Sequence, residues 1–387
     1  MHVKPIYLDY NATTPIAPEV VDEMLPYLRE HFGNPSSGHA YGQITKEAVI
    51  MARKRVAVLL ACSPDEIVFT GGGSESNNLA IKGAAYSLKE RGNHIITQVT
   101  EHPAVLNVCR LLETQGFAVT YLPVDEYGLV SPQDIAESIR KDTILITIMH
   151  ANNETGTLQP IKEIGEIARK HNILFHTDAA QSVGKVPVHV TDMNVDLLTI
   201  AAHKLYGPKG VGALYIRKGV KLLPVTHGAG HEGGLRPGTE NVAGIVALGK
   251  ACLLALAGMN NHMPSLTNLR DDFFSLLQQQ VPDVLLNGHP QKRLPNTLNV
   301  SFPGVNAAAM LAEIPQIAAS TGSACHHGEE TMSPVLAAMG KSKSRGFGAL
   351  RLSLGRETTR DEIKIAAELI SKTLKNYKHE VNDEHKQ

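Results

Sequence analysis

The stretch Ile144-Leu145-Ile146-Thr147-Ile148 decides the fold class, because it is apolar at every position except Thr147. A strand of this kind is typical of a parallel sheet that is covered on both faces. Similar runs recur along the chain, and stretches with apolar residues at helical spacing, such as residues 161–171, lie between them. The predicted strands cover residues 66–70, 94–99, 118–122, 143–150, 173–176, 197–201 and 211–216. This alternation predicts an α/β fold with a large, doubly wound, mainly parallel sheet.

From about Met259 the pattern changes and predicts a smaller α+β domain. Its helices are predicted over residues 265–279 and 307–313 and from residue 359, and its strands over residues 297–302, 317–320 and 350–354. The first 15 residues are expected to pack with this part of the chain. We therefore predict a large domain over residues 16–258 and a small domain formed by residues 1–15 and 259–387.

Composition and charge exclude several classes of protein. The 387 residues include 37 Lys and Arg against 38 Asp and Glu, and a net charge of −1 excludes a strongly basic nucleic-acid-binding protein. The longest apolar runs are shorter than the roughly 20 residues of a membrane span, and from the first residues we expect no secretory leader. None of the four cysteines forms a CxxC pair, which favours a reducing compartment. We expect a soluble, cytoplasmic protein that binds neither membranes nor nucleic acid directly.

A glycine-rich segment, residues 70–74 (TGGGS), follows a predicted strand and opens a helix. Glycine lets the backbone approach a ligand closely, and the free N–H groups at the start of a helix attract anions. The segment therefore predicts a phosphate site at Gly73 and Ser74, and Ser74 is also placed to cap the helix. Taken alone, the motif is equally compatible with a turn that binds nothing.

Two charged residues follow other predicted strands, at the edge where open α/β sheets bind their ligands. Asp178 needs a cationic partner if it is buried, and a desolvated Lys204 can become a nucleophilic amine. Taken singly, a structural salt bridge accounts for Asp178 and an exposed loop position for Lys204. Together with a phosphate site they match pyridoxal 5′-phosphate (PLP), which needs a phosphate cradle, a lysine for its aldehyde and an acid for its ring nitrogen.

Further motifs carry a resemblance to one known family. They are residues 7–15 (YLDYNATTP), 32–37 (FGNPSS), 152–156 (NNETG), 236–241 (RPGTEN) and 322–325 (GSAC). The chain resembles the cysteine desulfurases of the NifS/IscS group, which are PLP-dependent and have the class V form of the aspartate aminotransferase-like fold. The resemblance extends from about residue 6 to residue 366 and implies a homodimer.

The resemblance also implies which residues hold the cofactor. Lys204 would bind it covalently and later move protons at the substrate carbon, and Asp178 would keep the ring nitrogen protonated. Gln181 would reach the ring hydroxyl, His102 would stack on the ring and act in catalysis, and Asn153 would lie beside it. The phosphate would be held by Gly73, Ser74, His203 and, from the partner subunit, Thr239.

The substrate residues follow from the same resemblance. Arg351 would bind the carboxylate of L-cysteine, assisted by Asn153 and Asn11. Cys325 would attack the substrate sulfur, so that L-alanine leaves and a persulfide on Cys325 passes sulfur to an acceptor protein. The segment over residues 319–331 would be a loop that carries the sulfur outward.

Alternatives to this reaction are a different substrate, a loss of catalysis and a metal site. His326 directly after Cys325 resembles selenocysteine lyases, which release selenium and L-alanine from L-selenocysteine. A non-catalytic scaffold on the same fold, or an ordinary aminotransferase, would leave Cys325 without a role. A zinc site at Cys325, His326 and His327, or at His227 and His231, is disfavoured because no CxxC pair accompanies either cluster, and we expect no metal.

Overall fold

The computed structural model describes the backbone of residues 4–321, 323–326 and 329–384, and the side chains of residues 4–321 and 331–377. The helices are α1 (Pro18–Arg29), α2 (Ala40–Leu60), α3 (Gly73–Ser87), α4 (Pro103–Thr114), α5 (Pro132–Ser138), α6 (Ile161–Lys170), α7 (Val242–Gln280), α8 (Ala307–Ala312), α9 (Pro334–Ala338), α10 (Lys343–Phe347) and α11 (Arg360–Glu384). The strands are β1 (Ile6–Tyr7), β2 (Ile67–Thr70), β3 (His94–Gln98), β4 (Ala118–Leu122), β5 (Thr143–Thr147), β6 (Leu174–Asp178), β7 (Leu197–Ala201), β8 (Gly212–Ile216), β9 (Leu285–Asn287), β10 (Thr297–Ser301), β11 (Ile317–Ala318), β12 (Ser320–Thr321), β13 (Ser323–His326), β14 (Glu329–Met332) and β15 (Ala349–Ser353).

The large sheet has the strand order β2-β8-β7-β6-β5-β3-β4. Strands β3 to β7 pair in parallel, whereas β8 runs antiparallel to both β2 and β7. One face of the sheet packs against α2, α6 and α7, and the other packs against α3 and α4. Ile144, Leu145 and Ile146 are fully buried between these layers, which is why their stretch carries no polar face. The predicted doubly wound, mainly parallel α/β fold is confirmed.

A second, antiparallel sheet has the order β12-β15-β10-β9. Its apolar side chains share a core with the second half of α7 and with α11. Leu8, next to the short strand β1, is fully buried in the same core, and β1 pairs in parallel with β11. The N-terminal segment therefore packs with the C-terminal part of the chain. The division of the chain into domains after residues 15 and 258 stays a prediction.

Helix α7 runs without a break through the position where the sequence suggests a domain boundary. Its first half buries Leu248 and Cys252 in the large core, and its second half buries Phe273 in the small one. The sequence predicts this helix only over residues 265–279, because Pro264 is unusual inside a helix. By length and composition alone α7 is apolar enough to cross a membrane, but 56% of its most apolar window is buried inside the protein. It packs as the core helix of a globular protein does.

Two local features near the predicted site differ from expectation. Helix α3 begins at Gly73 and is capped by Gly72 rather than by Ser74. Gly72 has a φ of 143°, a backbone conformation that residues with a side chain rarely adopt, so the cap is a backbone turn and the Ser74 side chain is left for another role. The segment over residues 319–331, expected as a loop, contains β12 and the antiparallel hairpin β13–β14, with Cys325 in β13.

Candidate active site

One cavity of about 410 Å³ lies where β6 and β7 end and α3 begins. Its lining combines glycine, amide, carboxylate, imidazole, amine and guanidinium groups from both sheets and from the N-terminal segment. The lining residues are Asn11, Ala12, Gly73, Ser74, Asn77, His102, Ala104, Met149, Ala151, Asn153, Asp178, Ala180, Gln181, Ala201, His203, Lys204 and Arg351. The structure thus brings together every residue that the sequence analysis assigned to cofactor or substrate, apart from Thr239 and Cys325.

The first turn of α3 forms one end of the cavity. Gly73 and Ser74 line the cavity there, and the first N–H groups of a helix have no acceptor within the helix. Hydrogen bonds to the preceding segment stabilise this turn: the N–H of Gly71 donates to Glu75 Oε2 at 2.6 Å, and Thr70 Oγ1 lies 2.7 Å from Ser76 Oγ. This fixed, donor-rich end of the cavity suits a phosphate group.

Asp178, the last residue of β6, is held rigidly although its exposed fraction is only 8%. Asn77 Nδ2 donates to its Oδ2 at 2.7 Å, and the N–H of Ala180 donates to its Oδ1 at 2.9 Å. Each carboxylate oxygen therefore accepts one hydrogen bond from protein and keeps acceptor capacity for a ligand. The sequence analysis gave Asn77 no role, because spacing along the chain does not show which atom an amide side chain meets.

Lys204 ends a short 3₁₀ turn directly after β7. Its Nζ donates to the carbonyl of Asn11 at 2.6 Å and to that of Ala12 at 2.7 Å. Burial and, to a smaller extent, the charge of Arg351 lower the pKa of Lys204 to about 8, although the nearby carboxylates of Asp178 and Asp9 oppose this shift. A lysine with this pKa is neutral, and so nucleophilic, much more often near neutral pH than an exposed lysine.

Two histidines in the cavity are held in the neutral form. Nδ1 of His203 lies 3.2 Å from Thr13 Oγ1, and burial together with the charge of Lys204 lowers the pKa of His203 to about 4. His102 caps α4 by accepting the N–H of Ala104 at Nδ1, at 3.1 Å, and its pKa is lowered, chiefly by burial. A neutral ring that accepts at Nδ1 carries its proton on Nε2. The stacking role of His102 stays a prediction.

Asn11 connects the N-terminal segment to both sheets. Its backbone N–H donates to Ser353 Oγ at 2.9 Å, and its Nδ2 donates to Thr297 Oγ1 at 2.8 Å and to the carbonyl of Asn153 at 3.2 Å. The carbonyl of Asn11 accepts from Gln181 Nε2 at 2.9 Å. Since its side chain is committed to these contacts, Asn11 fixes the position of the backbone oxygen that meets the lysine amine.

Arg351 projects from β15 into the cavity with one nitrogen unpaired. Its Nη2 donates to Asp9 Oδ1 at 2.8 Å and to Ser320 Oγ at 3.0 Å, and its Nη1 donates to the carbonyl of Asn153 at 3.0 Å. Its Nε is buried and has no hydrogen-bond partner among the described residues. A buried donor of this kind favours an anionic ligand, and a guanidinium fits a carboxylate with two parallel bonds. Asn153 acts here through its backbone oxygen.

Thr239 is exposed and lies outside the cavity within a single chain. Its segment is anchored beside the phosphate end, because Arg236 Nε donates to Glu75 Oε1 at 2.9 Å. His231 faces Glu240 at 4.0 Å. Within the described parts of the chain, no group of three or more His, Cys, Asp or Glu side chains is placed to hold a metal ion.

The structure describes the predicted nucleophile, Cys325, only in its backbone. The backbone of Cys325 and His326 belongs to β13, whereas their side chains and the whole of His327 lie outside the described residues. Cys109 and Cys252 are fully buried, and burial raises the pKa of each to about 12. The half-buried Cys62 has a pKa raised to about 12 for the same reason. These three thiols are therefore not ionised near neutral pH.

Known proteins resemble this chain over almost its whole length. Residues 6–365 match the sequence profile of the family described as aminotransferase class-V. "Cysteine desulfurase IscS" of Dictyoglomus turgidum is 48% identical over 373 residues, which are 96% of this chain and 95% of that protein. A solved structure named "NIFS-like protein" has a TM-score of 0.90 and 38% identity, covering 96% of this chain and 99% of its own. Another, "SspA in complex with cysteine", has a TM-score of 0.80 and 41% identity, covering 90% and 98%.

Proposed function

We infer that this chain, which belongs to the class-V aminotransferase family, is a PLP-dependent cysteine desulfurase. It converts L-cysteine to L-alanine and transfers the sulfur to an acceptor. The observation that carries this proposal is the meeting of Lys204, Asp178 and Arg351 in one cavity with the first turn of α3. The relatives at about half identity that are named cysteine desulfurase IscS give the specific activity.

The cavity fits PLP at each of the points where that cofactor is held. The first turn of α3 offers backbone donors for the phosphate, the lowered pKa of Lys204 suits an amine that condenses with an aldehyde, and Asp178 presents a fixed carboxylate to a ring nitrogen. When bound, PLP supplies an electron sink for the bonds at the substrate α-carbon.

The residues of this chain then bind and orient the amino acid. The unpaired Nε of Arg351 and its neighbouring N–H groups hold the carboxylate. Lys204 would hold PLP through its amine and would move a proton at the α-carbon of the substrate. The thiolate of Cys325 attacks the substrate sulfur: an S–S bond forms, the C–S bond breaks, and the carbon gains a proton to give L-alanine. One substrate sulfur atom thus becomes the outer sulfur of a Cys325 persulfide.

The substrate assay tests this function and separates the alternatives. The purified protein loaded with PLP is expected to release L-alanine from L-cysteine in proportion to the sulfur recovered with a thiol acceptor. A parallel assay with L-selenocysteine measures the preference, and release from selenocysteine alone would favour the lyase, which the names of the relatives do not support. A colourless protein that releases no alanine from either compound would be a scaffold and would contradict the proposal.

The lowered pKa of Lys204 predicts how cofactor loading depends on pH. With a pKa of about 8, roughly 10% of this amine is neutral at pH 7, against less than about 0.1% for an exposed lysine. The rate of PLP loading into apoprotein is expected to rise with pH up to about 8 and then level off. Stopped-flow absorbance with excess PLP measures this rate, and a rate that keeps rising to pH 10 would contradict the lowered pKa.

Assembly and location are part of the same proposal. We propose a homodimer in which Thr239 contributes to the partner's phosphate site. The existence of a dimer interface is supported by an apolar stripe that α2 exposes, which includes Tyr41, Ile44, Met51 and Val58. Exposed stripes of this kind mark interaction surfaces, and sedimentation of the intact protein tests the dimer. A cytoplasmic location is supported by the free thiols of the described cysteines. The sulfur acceptor in this proposal is a separate protein, which takes the outer sulfur of the Cys325 persulfide.

A further inference from the structure

Lys185 is a buried amine that the proposed chemistry does not use. It lies four residues after Gln181, on the turn that follows β6, and it is not one of the residues lining the cavity. Its Nζ donates to Gln181 Oε1 at 2.9 Å and to Asn11 Oδ1 at 3.3 Å. Lys185 therefore contacts two residues that line the cavity but does not itself line it.

The side-chain amide of Gln181 can adopt only one of its two orientations. On one side its amide meets the amine of Lys185, which donates, and on the other it meets the carbonyl of Asn11, which can only accept. The oxygen of the amide must therefore face Lys185, and the NH₂ group must face the cavity side. This NH₂ group has two hydrogens, and the described residues provide it with one acceptor, the Asn11 carbonyl at 2.9 Å.

We propose that Lys185 is a positioning residue that fixes Gln181 as a hydrogen-bond donor towards the cofactor. The inference rests on the proposed function and on the contact between Gln181 and the ring hydroxyl of PLP that the family resemblance implies. A fixed donor stabilises that oxygen when it carries negative charge, whereas a free amide could turn and present its own oxygen instead. Lys185 thereby sets the protonation equilibrium of the bound cofactor without touching it.

The amine of Lys185 can serve as a hydrogen-bond donor in either of its protonation states. Burial, and to a smaller extent the charges of Lys204 and Arg351, lower the pKa of Lys185 to about 7. Protonated or neutral, the amine keeps at least two N–H bonds, which serve Gln181 and Asn11. Lys185 and Met259 line the same small pocket, so methionine, an unbranched apolar side chain one atom shorter than lysine, fits the same space.

The test uses the holoenzyme and a spectroscopic titration. The variant Lys185→Met is expected to raise the apparent pKa of the visible absorption change of bound PLP by about one unit, since the charged form of the ring loses a fixed hydrogen bond. The same substitution in a Gln181→Ala background is expected to produce no further shift. Lys250→Met, which removes a lysine that pairs with Glu23 at the surface, is the matched control and should titrate like the wild type.

Two results would overturn the proposal. A wild-type titration for Lys185→Met would show that the amine does not act on the cofactor. Equal shifts with and without Gln181 would show that its charge acts directly rather than through the amide. If Lys185→Met fails to fold, Lys185→Gln replaces it, since a neutral amide can accept as well as donate, no longer holds the oxygen of Gln181 by a fixed donor, and should shift the pKa in the same direction. Failure of desulfuration in a wild type that binds PLP would contradict the proposed function and leave this titration interpretable.

Discussion

Replacing Cys325 by serine is expected to lower alanine release from L-cysteine by about 10³-fold or more while PLP stays bound. The hydroxyl of serine is a far weaker nucleophile towards sulfur than a thiolate, so the variant has no group that accepts the substrate sulfur when the C–S bond breaks. The residues expected to hold the cofactor lie on α3 and at or directly after the ends of β6 and β7, so we expect PLP to stay bound in this variant. Alanine release and the visible spectrum, measured on the same sample, check both parts.

Cys62→Ser is the matched control for this experiment. Cys62 is half-buried and its thiol has a pKa raised to about 12 by burial, so its loss should leave the rate close to that of the wild type. Mass spectrometry of the wild type after a single turnover should find one added sulfur on the peptide that contains Cys325. Full activity in the Cys325→Ser variant would contradict desulfuration through a persulfide and favour a different lyase on the same fold.

Lys204→Ala is expected to lose the visible absorption of an imine-linked cofactor and to lose activity by about 10⁴-fold or more. No other amine lines the cavity among the described residues, so the aldehyde has no alternative partner there, and proton movement at the α-carbon loses its base. Absorption spectra after dialysis, followed by the alanine assay, measure the two losses separately.

The control for Lys204→Ala is Lys209→Ala, which removes an exposed lysine from the same loop. This variant should keep the colour and the rate of the wild type. A Lys204→Ala protein that stays yellow through dialysis and still turns over would show that the covalent link is made elsewhere. The assignment of Lys204 and Asp178 to one cofactor would then be wrong.

Much of the fold could be predicted from the sequence because buried parallel strands leave an unmistakable pattern. The stretch around Ile146 is apolar on both faces because helices cover both faces, and the same reasoning located the other central strands. The length of α7 could not be predicted, since Pro264 interrupts the pattern while tertiary packing keeps the helix intact. The hairpin that contains Cys325 was expected as a loop because its glycines and polar residues carry no strand pattern.

The site could be predicted where several features that are ambiguous when taken singly occur together at the ends of predicted strands. Lys204 and Asp178 were identified in this way, and both line the same cavity. Asn77 and Lys185 could not be identified, because amides and lysines are common at such positions and their importance depends on which atom they meet. The contact of Asn77 with Asp178 joins residues 101 positions apart, and sequence spacing contains no information about it.

The ion pair between Arg351 and Asp9 has a consequence for how the substrate is captured. Because Asp9 lies 2.8 Å from the guanidinium, the pair presents a dipole to the solvent rather than a bare positive charge. The field of a dipole falls off faster with distance than that of a charge, so dissolved ions have little to screen. At the Arg351 end of the cavity, recognition therefore depends on short-range fit to the geometry of an amino-acid carboxylate.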